Sequence, residues 1–291
     1  MLRCNKALGE SSNTRMFELV GDISDLALTG AALLLAGAAA GFAGGLFGIG
    51  GGFVVVPALV FLLPLMGVSA EQTAHVAVGT SLATIIFTSV RSTMSHAARD
   101  SVDFDLLKGW ALWVVLGTFA GAWIADFVSG AQLAMIFGVG VLGFAFYFLL
   151  PARAAEPMFA GMPAGIPRAG IAGTLGAFSA LLGIGGGTLT TLTMTVCGAP
   201  IHRAIGTAAG MGAIIAIPGA IGFAIIGFGE TGLPWGSLGY VNLPAALGII
   251  VTSIIFAPLG VAVAHNLAPQ VLRRVFGIYL IVVGVTMIAK F

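Results

Sequence analysis

Glycines break an otherwise apolar run between Gly41 and Pro57, G-F-A-G-G-L-F-G-I-G-G-G-F-V-V-V-P, and the same break recurs between Gly173 and Leu192, G-T-L-G-A-F-S-A-L-L-G-I-G-G-G-T-L-T-T-L. Gly48-Ile49-Gly50-Gly51-Gly52 thus reappears as Gly183-Ile184-Gly185-Gly186-Gly187. A glycine cluster lets the backbone leave a helix and approach another group closely. In hydrocarbon such a break persists only where protein or a water-filled cavity satisfies the freed N–H and C=O groups. Two breaks at matching places in two halves of a chain point to the binding site of a transporter.

Composition places these runs in a membrane. The chain is 58% apolar and 8% charged, with a mean hydropathy of +1.08, where an ordinary soluble domain carries about 25% charged residues. The expected fold is therefore an all-α polytopic membrane protein whose first partner is the lipid bilayer. A net charge of +1, with no basic run longer than Arg273-Arg274, gives no reason to propose a nucleic acid. Cys4 and Cys197 are the only cysteines, and they support neither a disulfide framework nor a thiolate metal site. Residues 1–25 mix charges of both signs without the apolar core of a signal peptide and read as a polar N-terminal tail. No H-E-x-x-H, G-x-S-x-G, C-x-x-C or P-loop occurs, so neither an enzyme nor a cofactor is expected.

Hydrophobic stretches fall at about 26–46, 52–67, 74–95, 108–127 and 131–150, then at about 168–183, 187–199, 202–228, 240–264 and 271–289. A spanning helix needs about 20 apolar residues, so 52–67 and 187–199 are candidates for re-entrant or broken helices. Residues 151–167, with four prolines, form a linker between two repeats at 26–150 and 168–291. The repeat extends past the glycines. His75-Val76-Ala77-Val78-Gly79-Thr80 matches His202-Arg203-Ala204-Ile205-Gly206-Thr207, Gly121–Ala125 parallels Gly260–Ala264, and Phe137-Gly138 parallels Phe276-Gly277. Each half is one five-segment unit.

Five is odd, so consecutive copies enter the membrane with opposite orientation. Lys and Arg accumulate in cytoplasmic loops. With the N-terminus outside, the inner loops carry Arg91, Arg99, Lys108, Arg153, Arg168, Arg203, Arg273 and Arg274, while Glu71, Asp126 and Glu230 fall outside. The charges favour about ten segments in two inverted repeats, both termini outside, with segments 151–167 and the basic loops in the cytoplasm.

If each glycine-broken pair folds back on itself, the two tips meet near the midplane. The segments beginning at Gly52 and Gly187 then aim helix N-termini, with unpaired N–H groups and the positive end of the dipole, at that centre. Such an arrangement suits a small anion. Thr188, Thr191 and Thr195 share one helical face, and Thr80, Thr84 and Thr88 form a second stripe leading to Arg91. Hydroxyls can replace part of an oxyanion's hydration shell, and Thr188, read as the cap of its helix, is the expected principal ligand. The alternative for these threonines is bonding to backbone within the bundle. His75 and His202 start helices and either titrate near neutral pH or serve structurally. His96 and His265 lie near loop ends and are expected to be solvated. Arg203 either draws an anion into an inner vestibule or simply marks the cytoplasmic side. The residues this reading assigns to the substrate are Gly50, Gly51, Gly52, Phe53, His75, Thr80, Ser81, Gly185, Gly186, Gly187, Thr188, Thr191, His202, Arg203 and Thr207.

The two G-x-G-G-G runs, each followed by a short apolar segment and then by A-x-G-T at Ala77–Thr80 and Ala204–Thr207, resemble the TauE/SafE sulfite exporters, the toluene sulfonate uptake permease family, over about residues 28–289. The resemblance implies a small sulfur or organic oxyanion such as sulfite or a sulfonate, often moved outward. One departure is that Pro57 stands where the second copy has Leu192. Together these readings point to a multi-pass secondary transporter of the bacterial inner membrane working by alternating access, with export favoured. A proton or sodium ion remains open as coupling ion, and a homo-oligomer as the assembly. A passive anion channel or a non-transporting membrane subunit are the rival classes.

Overall fold

The computed structural model of the protein describes residues 27–149, 161–266 and 269–290. The polar tail at 1–25, with Cys4, and most of the linker, with Arg153, lie outside the described residues. The fold is mostly helical, at 82%. In chain order the helices are α1 Ala27–Phe47, α2 Gly52–Leu62, extended by a 3-10 turn at Leu63–Met66, α3 Ala70–Ala97, α4 Phe104–Asp126, α5 Gly130–Leu149, α6 Gly165–Leu181, α7 Gly187–Val196, α8 Ile201–Ile226, α9 Leu243–Asn266 and α10 Pro269–Lys290. Between α8 and α9 lies a small antiparallel hairpin, β1 Ser237–Leu238 and β2 Val241–Asn242. Six helices, α1, α3, α4, α5, α8 and α9, are long and apolar enough to cross a membrane. The helices lie within a few residues of the ten hydrophobic stretches, and α2 and α7 are the short ones, at 11 and 10 residues.

Small residues set the helix spacing. Gly117 and Gly121 of α4 lie against Gly173 and Ala177 of α6, and Gly41 and Gly45 of α1 lie against Ser253 and Ala257 of α9, each close enough that a Cβ would meet backbone. Such surfaces replace the hydrophobic drive that lipid cannot supply between helices. The α3 helix, buried along most of its length, packs on α8, α9, α2 and α5 and forms the centre of the bundle.

The two ends of the bundle carry different polar groups. At one end Arg203 pairs with Asp103 at 2.8 Å, His202 stacks on His265, and the neighbouring Arg99 is exposed. At the other, Gln72 donates to the Thr231 carbonyl at 2.5 Å, and His75 stacks on Tyr240 with ring centroids 4.9 Å apart. Burial, with Glu230, Asp126 and Glu71 nearby, pushes the Tyr240 phenol up to about 12. The α1–α2 hairpin enters and leaves at the acidic end, and α1 runs alongside α9, whose Thr252 donates to the Leu34 carbonyl at 2.7 Å. The α6–α7 hairpin enters and leaves at the arginine end, where Arg168 lies beside Gly109 of α4.

Two prolines tie α10 to α2. A proline inside a helix leaves the carbonyl four residues back without its N–H partner. Pro57 frees the Phe53 carbonyl, which accepts the Tyr279 phenol at 3.1 Å. Pro64 frees the Val60 carbonyl, which accepts the Lys290 ammonium at 2.7 Å, with the same ammonium 4.2 Å from the centre of the Phe61 ring. In the second half Leu192 replaces Pro57.

Candidate functional site between the glycine turns

Each G-I-G-G-G run is a turn between two helices; the glycines at its first and fourth positions take positive φ in both copies, and Gly50 does so in the first. Gly183 ends α6 at φ 61°, where Ile184 N–H donates to the Ser179 carbonyl and Gly183 N–H to the Ala180 carbonyl, both at 3.1 Å. This is a left-handed helix C-terminus, open to glycine at little cost. The fourth residues, Gly51 and Gly186, are left-handed caps, φ 85° and 64°, from which α2 and α7 start. Neither helix has a side-chain cap. The cap expected of Thr188 is thus supplied by Gly186, and Thr188 sits in the first turn of α7.

The two turns cross in contact. A Cβ on Gly52 would lie 2.5 Å from the Gly183 carbonyl oxygen and 2.9 Å from Ile184 Cα, and one on Gly187 would overlap the Gly48 carbonyl and Ile49 Cα. Residues 52 and 187 hold the same place in the two copies, as do 48 and 183, so the contact is reciprocal in the manner of two-fold-related surfaces. The pattern recurs beyond the turns. Thr80 Oγ1 accepts the Asn242 N–H at 2.9 Å, and Thr207 Oγ1 accepts the Asp103 N–H at 2.8 Å. Asn242 in turn takes the Ala245 N–H, and Asp103 takes that of Leu106.

Around the crossed turns lie hydroxyls without partners. Most threonines of the bundle donate to a carbonyl three or four residues back, as Thr84, Thr88, Thr118, Thr193 and Thr195 do, the usual fate of such groups in membrane helices. Ser89, Ser179, Thr188, Thr190 and Thr191 are buried and make no hydrogen bond among the described residues. Ser89 Oγ would be 2.8 Å from a Cβ on Gly50 and also borders Gly212, while Ser179 Oγ would be 2.9 Å from one on Gly186. Orphaned buried hydroxyls are costly. Hydroxyls from α3, α6 and α7 therefore flank two glycine turns and two helix N-termini, a donor set suited to an oxyanion.

Residues 33–287 match the family described as "Sulfite exporter TauE/SafE". The chain belongs to the TauE/SafE family. A "Probable membrane transporter protein" of Haemophilus influenzae is 34% identical over 239 residues, covering 81% of this chain and 89% of the relative. Similarly named proteins of Methanocaldococcus jannaschii and Bacillus subtilis are 27% and 26% identical, each covering 81% of this chain and 86% and 88% of the relative. No solved structure matches the chain.

In this TauE/SafE chain the structure brings some of the sequence-assigned residues together and holds others apart. Gly50, Gly51, Gly52, Gly185, Gly186, Gly187, Thr188 and Thr191 belong to the crossed turns and the start of α7. Ser81 Oγ donates to the Gly183 carbonyl at 2.9 Å and pins the second turn. The Phe53 ring packs edge-on against Phe144 and Phe276, at 5.7 and 5.9 Å. Thr80 and Thr207 hold the starts of α9 and α4, and His75 Nε2 donates to the Ala125 carbonyl at 3.0 Å. His202 is exposed, and Arg203 is paired with Asp103. A further expectation is overturned: His96 is not solvated but buried at 1% exposure, donating from Nε2 to the Gly45 carbonyl of α1 at 3.2 Å. The close contact of α1 with α3 decides this, because α3 continues two residues past the apolar stretch and carries His96 onto the Gly45 carbonyl. Ser89, Ser92, Ser179 and His96 were missed by sequence reasoning, since nothing local separates an orphaned hydroxyl from one bonded to its own helix. A groove of about 620 Å³ between α5, α6 and α7 is lined by Met135, Val139, Phe178, Leu189 and Leu192 among others and offers no charged side chain.

Proposed function

We propose that the protein is a secondary transporter of a small oxyanion, sulfite or an organosulfonate, bound between the two crossed glycine turns near the membrane midplane. The observation that carries this reading is the set of orphaned hydroxyls of Ser89, Ser179 and Thr188 around the reciprocal contact of Gly52 with Gly183 and of Gly187 with Gly48. The N-termini of α2 and α7 supply N–H donors and the positive ends of two helix dipoles, which balance a buried monoanion without a full cation. The family membership supports sulfur oxyanions as the class, and the names of the relatives support transport.

The reading includes two inverted five-segment repeats, 26–150 and 168–291, joined by the cytoplasmic linker 151–167. The reciprocal contacts between equivalent positions support it, as does the entry of the two hairpins from opposite ends. Both termini are outside, because the arginine end takes the cytoplasmic side of a bacterial inner membrane. Alternating access follows from motion of one bundle against the other around the turns, with export as the direction.

The test is thermal stabilisation of the purified protein against sulfite, sulfoacetate, taurine, sulfate, acetate and lactate. A ligand at 100 times its dissociation constant adds about 2.7 kcal/mol of stability. Stabilisation by sulfite or sulfonates and not by carboxylates is the expected result. Stabilisation only by a cation or an uncharged solute would sink the reading.

A further inference from the structure

Five unpartnered or exposed polar side chains run from the crossed turns to the arginine end. On α3, Ser89, Ser92 and His96 are spaced i, i+3 and i+7 and so share one face. They are 0%, 0% and 1% exposed, and Ser89 Oγ, Ser92 Oγ and His96 Nδ1 have no hydrogen-bond partner among the described residues. Ser89 borders Gly50 of the first turn. At the far end of the row the His96 ring lies 5.6 Å from that of His265 on α9, whose Nε2 is likewise buried and unpartnered. His265 in turn stacks on His202 of α8, at 5.2 Å and 13°, and His202 is exposed. Polar groups thus follow one another from the candidate site to solvent.

The row has no counterpart on the other side. The positions of α8 equivalent to Ser89, Ser92 and His96 are Ala216, Gly219 and Phe223. These are apolar, and Phe223 is fully buried. Among the described residues α8 therefore carries no matching unpartnered row, although the backbone around it is duplicated.

The packing decides what such a path can carry. A Cβ on Gly212 would overlap Ser89 Oγ, and a Cβ on Gly206 would come within 3.2 Å of His96 Cβ, so α3 and α8 leave no room here for an anion. Hydroxyl and imidazole groups both donate and accept, so a proton can pass along them with no displacement of helices. Residues at i and i+3 are about 5–6 Å apart at Cβ, a gap that one bridging water spans. A carbonyl can only accept, so the bond to Gly45 places a proton on Nε2 of His96 and leaves Nδ1 of the neutral ring as an acceptor with no partner among the described residues. Metal binding does not compete. The His202 and His265 rings stack instead of converging, and no group of three or more His, Cys, Asp or Glu placed to hold a metal exists among the described residues.

We infer that Ser89, Ser92, His96, His265 and His202 form a proton relay between the substrate site and the arginine end, which makes the proton the coupling ion of this transporter. The inference rests on the anion-transport reading above. The charged and titratable groups around His96 are Arg99 on its own helix, His202 on α8 and His265 on α9, with Arg203 of α8 held by Asp103 at the start of α4. The groups acting on His96 include no carboxylate, and Asp103 is committed to Arg203 and to the Leu106 N–H.

The test uses the full chain in liposomes with radiolabelled sulfoacetate, whose acid groups are ionised above about pH 6. Two rates are read in the wild type and in His96→Gln, whose amide can still donate to the Gly45 carbonyl, and in His265→Gln. One is self-exchange with equal sulfoacetate and equal pH on both sides; the other is accumulation driven by a pH gradient with the membrane potential clamped. The wild type is expected to accumulate sulfoacetate by up to about tenfold per unit of gradient for one coupled proton. Both variants are expected to keep exchange within about twofold and to lose the accumulation. Accumulation indifferent to pH in the wild type, accumulation driven instead by a sodium gradient, or accumulation unchanged in both variants would each overturn the relay. Absence of exchange in the wild type would overturn the anion-transport reading itself, which separates the two failures.

Discussion

The phenol of Tyr279 donates to the carbonyl of Phe53 at 3.1 Å, and that carbonyl is available because Pro57, four residues on, has no N–H to give it. The proline and the tyrosine are therefore energetically coupled across two helices. Tyr279→Phe leaves a buried carbonyl unmet and is expected to cost about 1–3 kcal/mol. In a Pro57→Ala background the helix N–H returns and the same change should cost clearly less. Unfolding of the four proteins of this cycle in detergent gives the coupling directly, and additive effects would show that Tyr279 acts by packing alone.

Lys290 does the same for Val60, the carbonyl orphaned by Pro64. Lys290→Met keeps the aliphatic stem over Phe61 and removes the ammonium. A loss of about 1–3 kcal/mol is expected, and Lys290→Arg should recover part of it. A neutral Lys290→Met in the same unfolding measurement would deny the bond any role.

Where the turns cross, backbone meets backbone with no room for a methyl group. Gly187→Ala places its Cβ on the Gly48 carbonyl, an overpacking that costs about 1–3 kcal/mol or more. Gly143 of α5, by contrast, has nothing within 4 Å of its Cβ position, so Gly143→Ala should be neutral or slightly stabilising. Melting temperatures of the two variants, compared side by side, check the crossing.

Thr188→Val removes one orphaned hydroxyl at nearly constant volume. Folding should hold or improve, because the hydroxyl makes no hydrogen bond among the described residues. Sulfite affinity, titrated by thermal shift, is expected to fall about tenfold, the equivalent of about 1.4 kcal/mol. Unchanged affinity would remove Thr188 from the site.

Asp103 has two roles that substitution can separate. It caps α4 through the Leu106 N–H at 3.0 Å and pairs with Arg203 at 2.8 Å. The Arg203 side chain is 54% exposed, so the ion pair is worth about 0–1 kcal/mol, whereas losing a cap costs about 0.5–2 kcal/mol. Asp103→Asn, which still caps, should therefore be milder than Asp103→Ala. Equal losses would make the ion pair the larger contribution.

Much of this was legible in the chain. The glycine turns and the short helices after them follow from local signals, because a glycine cluster in hydrocarbon has few conformational uses. The hydroxyls were legible only in part. Counting threonines at helical spacing picked out Thr80, Thr84 and Thr88, yet Thr84 donates to its own helix, Thr88 to its own helix and to Ser253, and Thr80 accepts from Asn242. Ser89, one residue beyond that stripe, faces the turns unpartnered. The partners that distinguish them lie more than 160 positions away in sequence.

The sequence by itself determined a helical membrane protein with two glycine-broken runs, since hydrophobicity and glycine geometry act within a few residues of where they occur. Only the tertiary structure decided that the two turns cross through reciprocal contacts, that Tyr279 and Lys290 meet carbonyls freed by prolines in α2, and that His96 is buried in line with His265 and His202. Those outcomes depend on which helices touch. A hydrogen bond at 3 Å or a methyl-sized gap is set by the mutual position of distant backbones, and no local pattern encodes that distance.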